Sequence, residues 1–240
     1  MSWLSKDEAI GIILPEADPA LALPAAAAIA RSFPKHRVFV SDAARPYISA
    51  YIKGDEGLSP KVFLDLSLPP ETRALPRGAT VGITANPLNT SFNVILKTRS
   101  DDPLKARQGL LACLGISPVE NDWTLPKALA KAENRLERMG YYRGRMRVFL
   151  DSNDKRTEQA LREIYGTEVM FLDGSDAPPD ETLMLLALSD FYVGGGTLLT
   201  GFAFLFGKKC ILTAGQRVPE GADARPPGNL RRTLSRMGFL

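Results

Sequence analysis

Three consecutive glycines near the end of the chain are the residues whose spacing most clearly predicts chemistry. Gly194, Gly195 and Gly196 stand between a short apolar run, Phe191–Val193, and an apolar stretch of helical length, Thr197–Phe206. A strand that enters a helix through glycines leaves backbone N–H groups at the helix N-terminus, where they can bind phosphate or another anion. The same pattern also suits a tight strand-to-helix turn in which small residues allow close packing, so both interpretations stay open.

The elements that must position this turn alternate between strand and helix along the whole chain. The pattern predicts strands at 9–14, 37–41, 61–66, 79–84, 92–98, 147–150, 168–172, 191–193 and 210–212. It predicts helices at 19–32, 43–52 with an interruption at Pro46, 103–114, 127–139, 155–165, 180–188, 197–206 and 229–237. Such alternation is typical of parallel, doubly wound sheets. It breaks over Ser117–Pro126, so we expect two domains, 1–121 and 122–240. Ligands of such sheets bind at the carboxyl ends of the strands.

Composition excludes several functional classes. The 240 residues carry a formal net charge of only +3, which gives no case for nucleic-acid binding. Cys113 and Cys210 are far apart in apolar surroundings, so they predict buried thiols, with no disulfide and no metal site. The single histidine, His36, lies in a polar connection between a helix and a strand, so we expect it at the surface rather than in a catalytic triad. The absence of a long apolar run or a leader pattern predicts a cytoplasmic protein.

Several turns resemble one known family. The motifs are Glu16–Asp18 after the first strand, Leu23–Ala25 in the following helix, Phe33–Pro34 before the second strand, Asp151–Arg156, and the segment Ser189–Gly215. Together they resemble the lipopolysaccharide heptosyltransferases of glycosyltransferase family 9, over nearly the whole chain. The resemblance implies an α/β fold with two Rossmann-like domains in a compact GT-B-like arrangement, the first on the acceptor side and the second on the nucleotide-sugar side.

The sequence departs from the family at its signature positions. In the glycine turn, the family's aspartate falls on Gly196, its glycine on Leu198 and its histidine on Gly201. Ala17 replaces the glycine of the first turn, and Lys209 stands where a proline is usual. The chain is also shorter than the family's members. It is therefore identified as a shortened and divergent relative.

The resemblance assigns roles to a few residues. Asp18 would be the general base that takes a proton from the acceptor hydroxyl, although an aspartate before a proline also suits a helix start. Lys155 would bind the donor diphosphate, although it also suits an exposed first helical turn. Gly194–Thr197 would cradle phosphate through N–H groups, with Thr197 the one polar side chain retained in the turn. No metal and no cofactor beyond the nucleotide-sugar substrate is implied.

Two functions follow from these observations. The first is an inverting, metal-independent glycosyltransferase that moves a sugar from a nucleotide donor to a cell-envelope acceptor. The second is an inactive relative that serves as a binding or assembly scaffold. Basic residues concentrate in Lys127–Arg147 and in the C-terminal helix. They would meet the anionic surface of the inner membrane, a phosphorylated acceptor or a protein partner, or they form a solvated face.

Overall fold

The chain divides into two compact units, residues 1–124 and residues 125–240. The computed structural model describes residues 11–13, 20, 23, 24, 28, 32, 37–41, 47, 62–64, 80–84, 94–97, 105, 108, 109, 111, 112, 114–117, 126–141, 144–151, 155–213 and 218–240. Each unit is built on its own parallel sheet of five strands. The α/β fold class predicted from the alternating pattern is therefore confirmed.

The sheet of the first unit has the strand order β3-β2-β1-β4-β5. Its strands are β1 (Gly11–Ile13), β2 (Arg37–Ser41), β3 (Val62–Leu64), β4 (Thr80–Thr84) and β5 (Val94–Lys97). All neighbouring pairs are parallel. The chain starts at the centre, winds to one edge, and returns to place β4 on the other side of β1. This is the doubly wound order that Rossmann-like folds share.

Helical residues connect these strands where the sequence predicts helices. Ala20, Leu23 and Ala28 are helical and buried, as expected for the alanine-rich segment after β1. The helix predicted at 103–114 is present at its described positions. It ends where Gly115, with a φ of 71°, lets the N–H of Ile116 donate to the carbonyl of Leu111 at 2.9 Å.

The second unit contains five helices and five strands among its described residues. Its strands are β6 (Met146–Asp151), β7 (Val169–Leu172), β8 (Phe191–Gly194), β9 (Lys209–Leu212) and β10 (Ala224–Arg225). Its helices are α1 (Pro126–Arg138), α2 (Lys155–Tyr165), α3 (Pro179–Leu188), α4 (Leu198–Leu205) and α5 (Leu230–Arg236). Every helix and four of the strands lie within one or two residues of their predicted positions, and β10 was not predicted.

The two faces of this sheet are covered by different helices. Val148, Phe191 and Ile211 point to the face on which Leu161 of α2 and Leu234 of α5 complete a buried apolar cluster. The intervening residues Phe149 and Tyr192 point to the opposite face, where their rings stack with centroids 6.2 Å apart. Because side chains alternate along a strand, this second face also receives the side chain two residues beyond Phe149, which is Asp151.

No helix among the described residues is both long and apolar enough to cross a membrane.

Candidate functional site at the carboxyl edge of the second sheet

The strand order of the second unit, β10-β9-β8-β6-β7, creates a single reversal of direction. The chain passes from β6 to β7 on one side and then crosses back to place β8 on the other side of β6. In such sheets ligands bind in the crevice outside the carboxyl ends of the two strands at the reversal. The last residues of those strands, Asp151 and Gly194, are paired in register. The candidate site is therefore centred on these two residues.

The glycine turn that follows β8 is shaped by packing. A Cβ atom on Gly194 would lie 2.5 Å from the hydroxyl oxygen of Tyr192 and 3.1 Å from the Cβ of Asp151, so only glycine fits there. The carbonyl of Gly194 accepts a hydrogen bond from the N–H of Thr213 at 2.8 Å, which ties the turn to the end of β9. Gly196 has a φ of 74°, a conformation that other residues rarely adopt.

Four polar side chains meet beside this turn. The Oδ2 atom of Asp151 accepts a hydrogen bond from the hydroxyl of Tyr192 at 2.6 Å and a short one from the hydroxyl of Thr197. The Tyr192 oxygen also lies 2.7 Å from the Oγ1 atom of Thr200. Because the single phenolic proton is given to Asp151, Tyr192 accepts the proton of Thr200. We call Asp151, Tyr192, Thr197 and Thr200 the carboxylate cluster.

Burial sets the protonation of this cluster. Tyr192 and Thr200 have no exposed surface, whereas Thr197 is exposed and Asp151 is half-buried. Burial raises the pKa of Asp151, and the negative charge of Asp173 at the end of β7 raises it further, while the hydrogen bonds from Thr197 and Tyr192 lower it. Burial and the neighbouring carboxylate raise the pKa of Tyr192 well above its ordinary value, so it remains a hydrogen-bond donor.

Thr197 is the N-cap residue of α4, but its side chain does not cap the helix. Its hydroxyl is directed to Asp151 instead. The side chain of Thr197 therefore leaves the N–H groups at the start of α4 uncapped. An uncapped helix start beside a glycine turn favours an anion or an oxygen atom of a ligand.

The structure places the predicted donor residues at the same edge of the second sheet. Lys155 is exposed in the first turn of α2, which starts four residues after Asp151. Gly194 is buried beneath Tyr192, Gly195 is half-buried, and Gly196 and Thr197 are exposed. The predicted base, Asp18, lies outside the described residues. The roles of all six residues stay predictions.

The basic segment Lys127–Arg147 is partly neutralised inside the fold. Arg135 forms an ion pair with Glu181 of α3 at 3.2 Å. Arg147 forms one with Asp190 at 2.9 Å, and its backbone N–H donates to the same carboxylate at 2.6 Å. The hydrogen bond with Asp190 is the main reason that the pKa of Arg147 is raised. The charge count of the sequence therefore overstates the free positive charge of this segment.

Sequence reasoning missed three members of the carboxylate cluster as candidate site residues: Asp151, Tyr192 and Thr200. One signal for Asp151 was its place as the polar residue directly after a predicted apolar strand, in the segment Asp151–Arg156 that resembles a family motif. Thr197 and Thr200 are also spaced by three residues, which puts them on one side of a helix. Tyr192 gave no such signal, because a tyrosine within an apolar strand is an ordinary core residue. Within the described part of the chain, no group of three residues is arranged to hold a metal ion.

Comparisons with known proteins give matches in fold. No protein-family model matches the sequence, and no curated protein matches it. The structure is similar to the glycosyltransferase family 9 protein of Veillonella parvula, with a TM-score of 0.56 and 10% identity, over 99% of this chain and 91% of the other. It is also similar to E. coli heptosyltransferase WaaC with ADP, with a TM-score of 0.58 and 11% identity, over 95% of this chain and 98% of the other.

A third similar structure is the E. coli ADP-heptose lipopolysaccharide heptosyltransferase II, with a TM-score of 0.53 and 10% identity, over 96% of this chain and 98% of the other. The chain thus has the fold of these glycosyltransferases from end to end. The resemblance predicted from its motifs is confirmed at the level of fold.

Proposed function

We propose that this protein is a glycosyltransferase of the heptosyltransferase type, which binds a nucleotide-sugar donor at the carboxyl edge of its second unit. The observation that carries the proposal is the coincidence of the fold with a suitable site. The chain has the fold of three glycosyltransferases. The residues at the strand reversal, Asp151 and Gly194, lie beside an uncapped helix start.

The proposed donor carries an adenine nucleotide. Two E. coli heptosyltransferase structures with this fold contain ADP and ADP-2-deoxy-2-fluoro heptose. In the present chain, the glycine turn and the start of α4 would meet the diphosphate through N–H groups, and Lys155 would add a positive charge from α2. Stabilising the leaving diphosphate in this way is what transfer from a nucleotide sugar requires.

The proposed acceptor chemistry rests on Asp18. As general base, its carboxylate would remove the proton from an acceptor hydroxyl of a cell-envelope glycolipid of the lipopolysaccharide type. Attack on the anomeric carbon opposite to the leaving group would invert its configuration. An Asp18→Asn variant is therefore expected to bind the donor as the wild type does and to lose turnover by at least about a hundredfold. Glu168→Gln, an exposed residue just before β7, is the matched control.

Calorimetric titration tests the donor site first. We expect ADP and ADP-heptose to bind at micromolar to millimolar concentrations. Lys155→Ala should weaken both by about tenfold, because one charge-assisted contact to phosphate is lost. Arg236→Ala is the matched control, because it removes a positive charge at the opposite edge of the sheet. The carbonyl of the next residue, Met237, accepts a hydrogen bond there from Lys209 at the start of β9. If no nucleoside diphosphate or nucleotide sugar binds, the scaffold interpretation replaces this proposal.

A second proposal concerns where the protein works. Helix α5 has three arginines and no acidic residue, and Arg231, Arg232 and Arg236 are exposed. None of them forms an ion pair with another described residue. We propose that this helix attracts the protein from the cytoplasm to an anionic membrane surface, where each arginine contributes about 1 kcal/mol.

Vesicle sedimentation tests this second proposal. The wild type should bind vesicles that contain phosphatidylglycerol and should not bind pure phosphatidylcholine. Replacing all three arginines by glutamine should weaken binding by about a hundredfold. Equal binding of wild type and variant would refute the role of α5, and a protein partner or a phosphorylated acceptor would then be sought for these arginines.

A further inference from the structure

We infer that Asp151 is a specificity-determining residue, whose carboxylate accepts a hydrogen bond from a hydroxyl group of the donor sugar. The inference rests on the proposed function and deepens it. It starts from position: Asp151 ends β6 at the strand reversal, in register with Gly194 and half-exposed at the edge. A ligand in the crevice of this sheet would therefore meet the carboxylate.

The carboxylate cluster fixes the orientation of Asp151. The side-chain hydrogen bonds that the carboxylate accepts from Tyr192 and from Thr197 both end on the same oxygen, Oδ2. Thr200 donates to Tyr192 from behind, and both of these side chains are fully buried. The other oxygen, Oδ1, has no hydrogen-bond partner among the described residues. A carboxylate held on one side by two O–H donors thus keeps an acceptor atom for a third.

The charge of Asp151 selects the class of ligand group. A carboxylate accepts hydrogen bonds and donates none when ionised, so it favours hydroxyl groups and repels phosphate oxygens. Asp173, at the end of the neighbouring strand β7, adds a second negative charge that acts on Asp151. The part of the ligand that lies against Asp151 is therefore a polyol. The diphosphate would meet N–H groups of the same glycine turn and of the start of α4, close enough to Asp151 for the negative charge of the carboxylate to weaken its binding.

A comparison of two ligands isolates this contact. We would titrate ADP and ADP-heptose into wild type and Asp151→Asn, and take the ratio of their dissociation constants. The variant should reduce the preference for ADP-heptose over ADP by about tenfold or more, because a hydrogen bond to a charged acceptor is lost. Its affinity for ADP alone should be unchanged or higher, because one negative charge is removed. Circular dichroism confirms that the variant is folded.

Two matched variants separate this contact from general effects. Asp190→Asn makes the same substitution just before β8, at the opposite edge of the sheet, where Asp190 pairs with Arg147, and should leave the ratio unchanged. Asp173→Asn removes a charge at the same edge and should shift both ligands equally. If Asp151→Asn does not fold, Thr197→Val provides the test, since it removes one of the two donors that orient the carboxylate, and the ratio should fall severalfold.

The possible results separate the two proposals. Suppose that ADP binds and that the ratio is the same in the wild type and in the variant used, Asp151→Asn or Thr197→Val. The carboxylate then has no contact with the sugar, and this inference is wrong while the proposed donor site stands. If the wild type binds neither ligand, the proposed function and this inference fail together. A loss of preference confined to the Asp151 and Thr197 variants supports both.

Discussion

Replacing Gly194 by alanine should destabilise the second unit strongly, although it adds one methyl group. The new Cβ atom would lie 2.5 Å from the hydroxyl oxygen of Tyr192 and 2.8 Å from its Cζ atom. Tyr192 has no exposed surface, and its ring stacks on Phe149, so it has little room to move away. The backbone of Gly194 does not have a positive φ. The cost is therefore steric.

The expected magnitude combines two effects. Forcing an extra methyl group into a close-packed region costs about 1–3 kcal/mol. Displacing Tyr192 also breaks its 2.6 Å hydrogen bond to Asp151, and a hydrogen bond to a charged group contributes about 1.5–3 kcal/mol. We therefore expect Gly194→Ala to lower the free energy of unfolding by about 3–5 kcal/mol, a large part of the stability of an ordinary domain.

Urea unfolding measures this loss, with far-UV circular dichroism as the signal. Tryptophan fluorescence is unsuitable, because both tryptophans, Trp3 and Trp123, belong to the first unit. Gly109→Ala is the matched control. Gly109 is helical and exposed, and a Cβ atom there meets nothing within 4 Å. This control should be neutral or should gain up to about 1 kcal/mol.

A double variant tests the cause of the loss. Tyr192→Phe removes the oxygen at 2.5 Å, so its effect and that of Gly194→Ala should combine to at least about 1 kcal/mol less than their sum. An unfolding free energy of Gly194→Ala within about 0.5 kcal/mol of the wild type would refute the steric argument. Strict additivity of the two changes would show that Tyr192 is not the residue that the methyl group meets.

Three further predictions follow from the second unit. Lys208 donates to the carbonyls of Ala187 and Ser189 at 2.6 and 2.7 Å, at the end of α3. Lys208→Met should therefore lower the free energy of unfolding, measured in urea, by about 1–3 kcal/mol, whereas Arg232→Met at an exposed position should change it by less than about 0.5 kcal/mol. Equal effects of the two variants would contradict the capping role of Lys208. Burial raises the pKa of Cys210 to about 12, so at pH 8 its thiol should resist iodoacetamide in the native protein and react with it in urea. Mass spectrometry of a Cys113→Ala variant would measure this labelling. Fast labelling of the native protein would contradict the prediction, because it would show that the thiol is accessible. Burial also raises the pKa of Asp151, so its carboxylate loses its charge at a higher pH than usual. As the pH falls from about 7 to about 4.5, the wild type should therefore gain affinity for ADP relative to Asp151→Asn. Parallel pH profiles of the two proteins would show that the diphosphate is out of reach of this carboxylate.

Local patterns in the sequence were sufficient for most elements of the fold. The helix predicted at 155–165 is present at those residues, and so is the strand at 37–41. The helix is followed by Gly166, which ends regular structure, and the strand contains the apolar run Val38–Val40 between polar residues. The strand β10 was missed because its two residues, Ala224 and Arg225, are too few to show a period. They form a strand only by pairing with β9.

The sequence also left open which of the basic residues form ion pairs. Seven basic residues against two acidic ones in Lys127–Arg147 indicate a positive face, but Arg135 and Arg147 reach acids 46 and 43 residues away. A charge count cannot contain these pairings, because they depend on α3 and β8 being placed beside α1 and β6.

The position of Asp151 beside the glycine turn could not be predicted from local sequence patterns. The sequence determined that a strand, a glycine turn and an apolar helix occur in that order, and that Asp151 directly follows a predicted strand. It did not determine that these two points are neighbours. That followed from the strand order, which places β8 beside β6 rather than beside β7 and brings Asp151 next to Gly194 across 43 positions of the chain. Only this tertiary pairing gives the glycine turn a carboxylate.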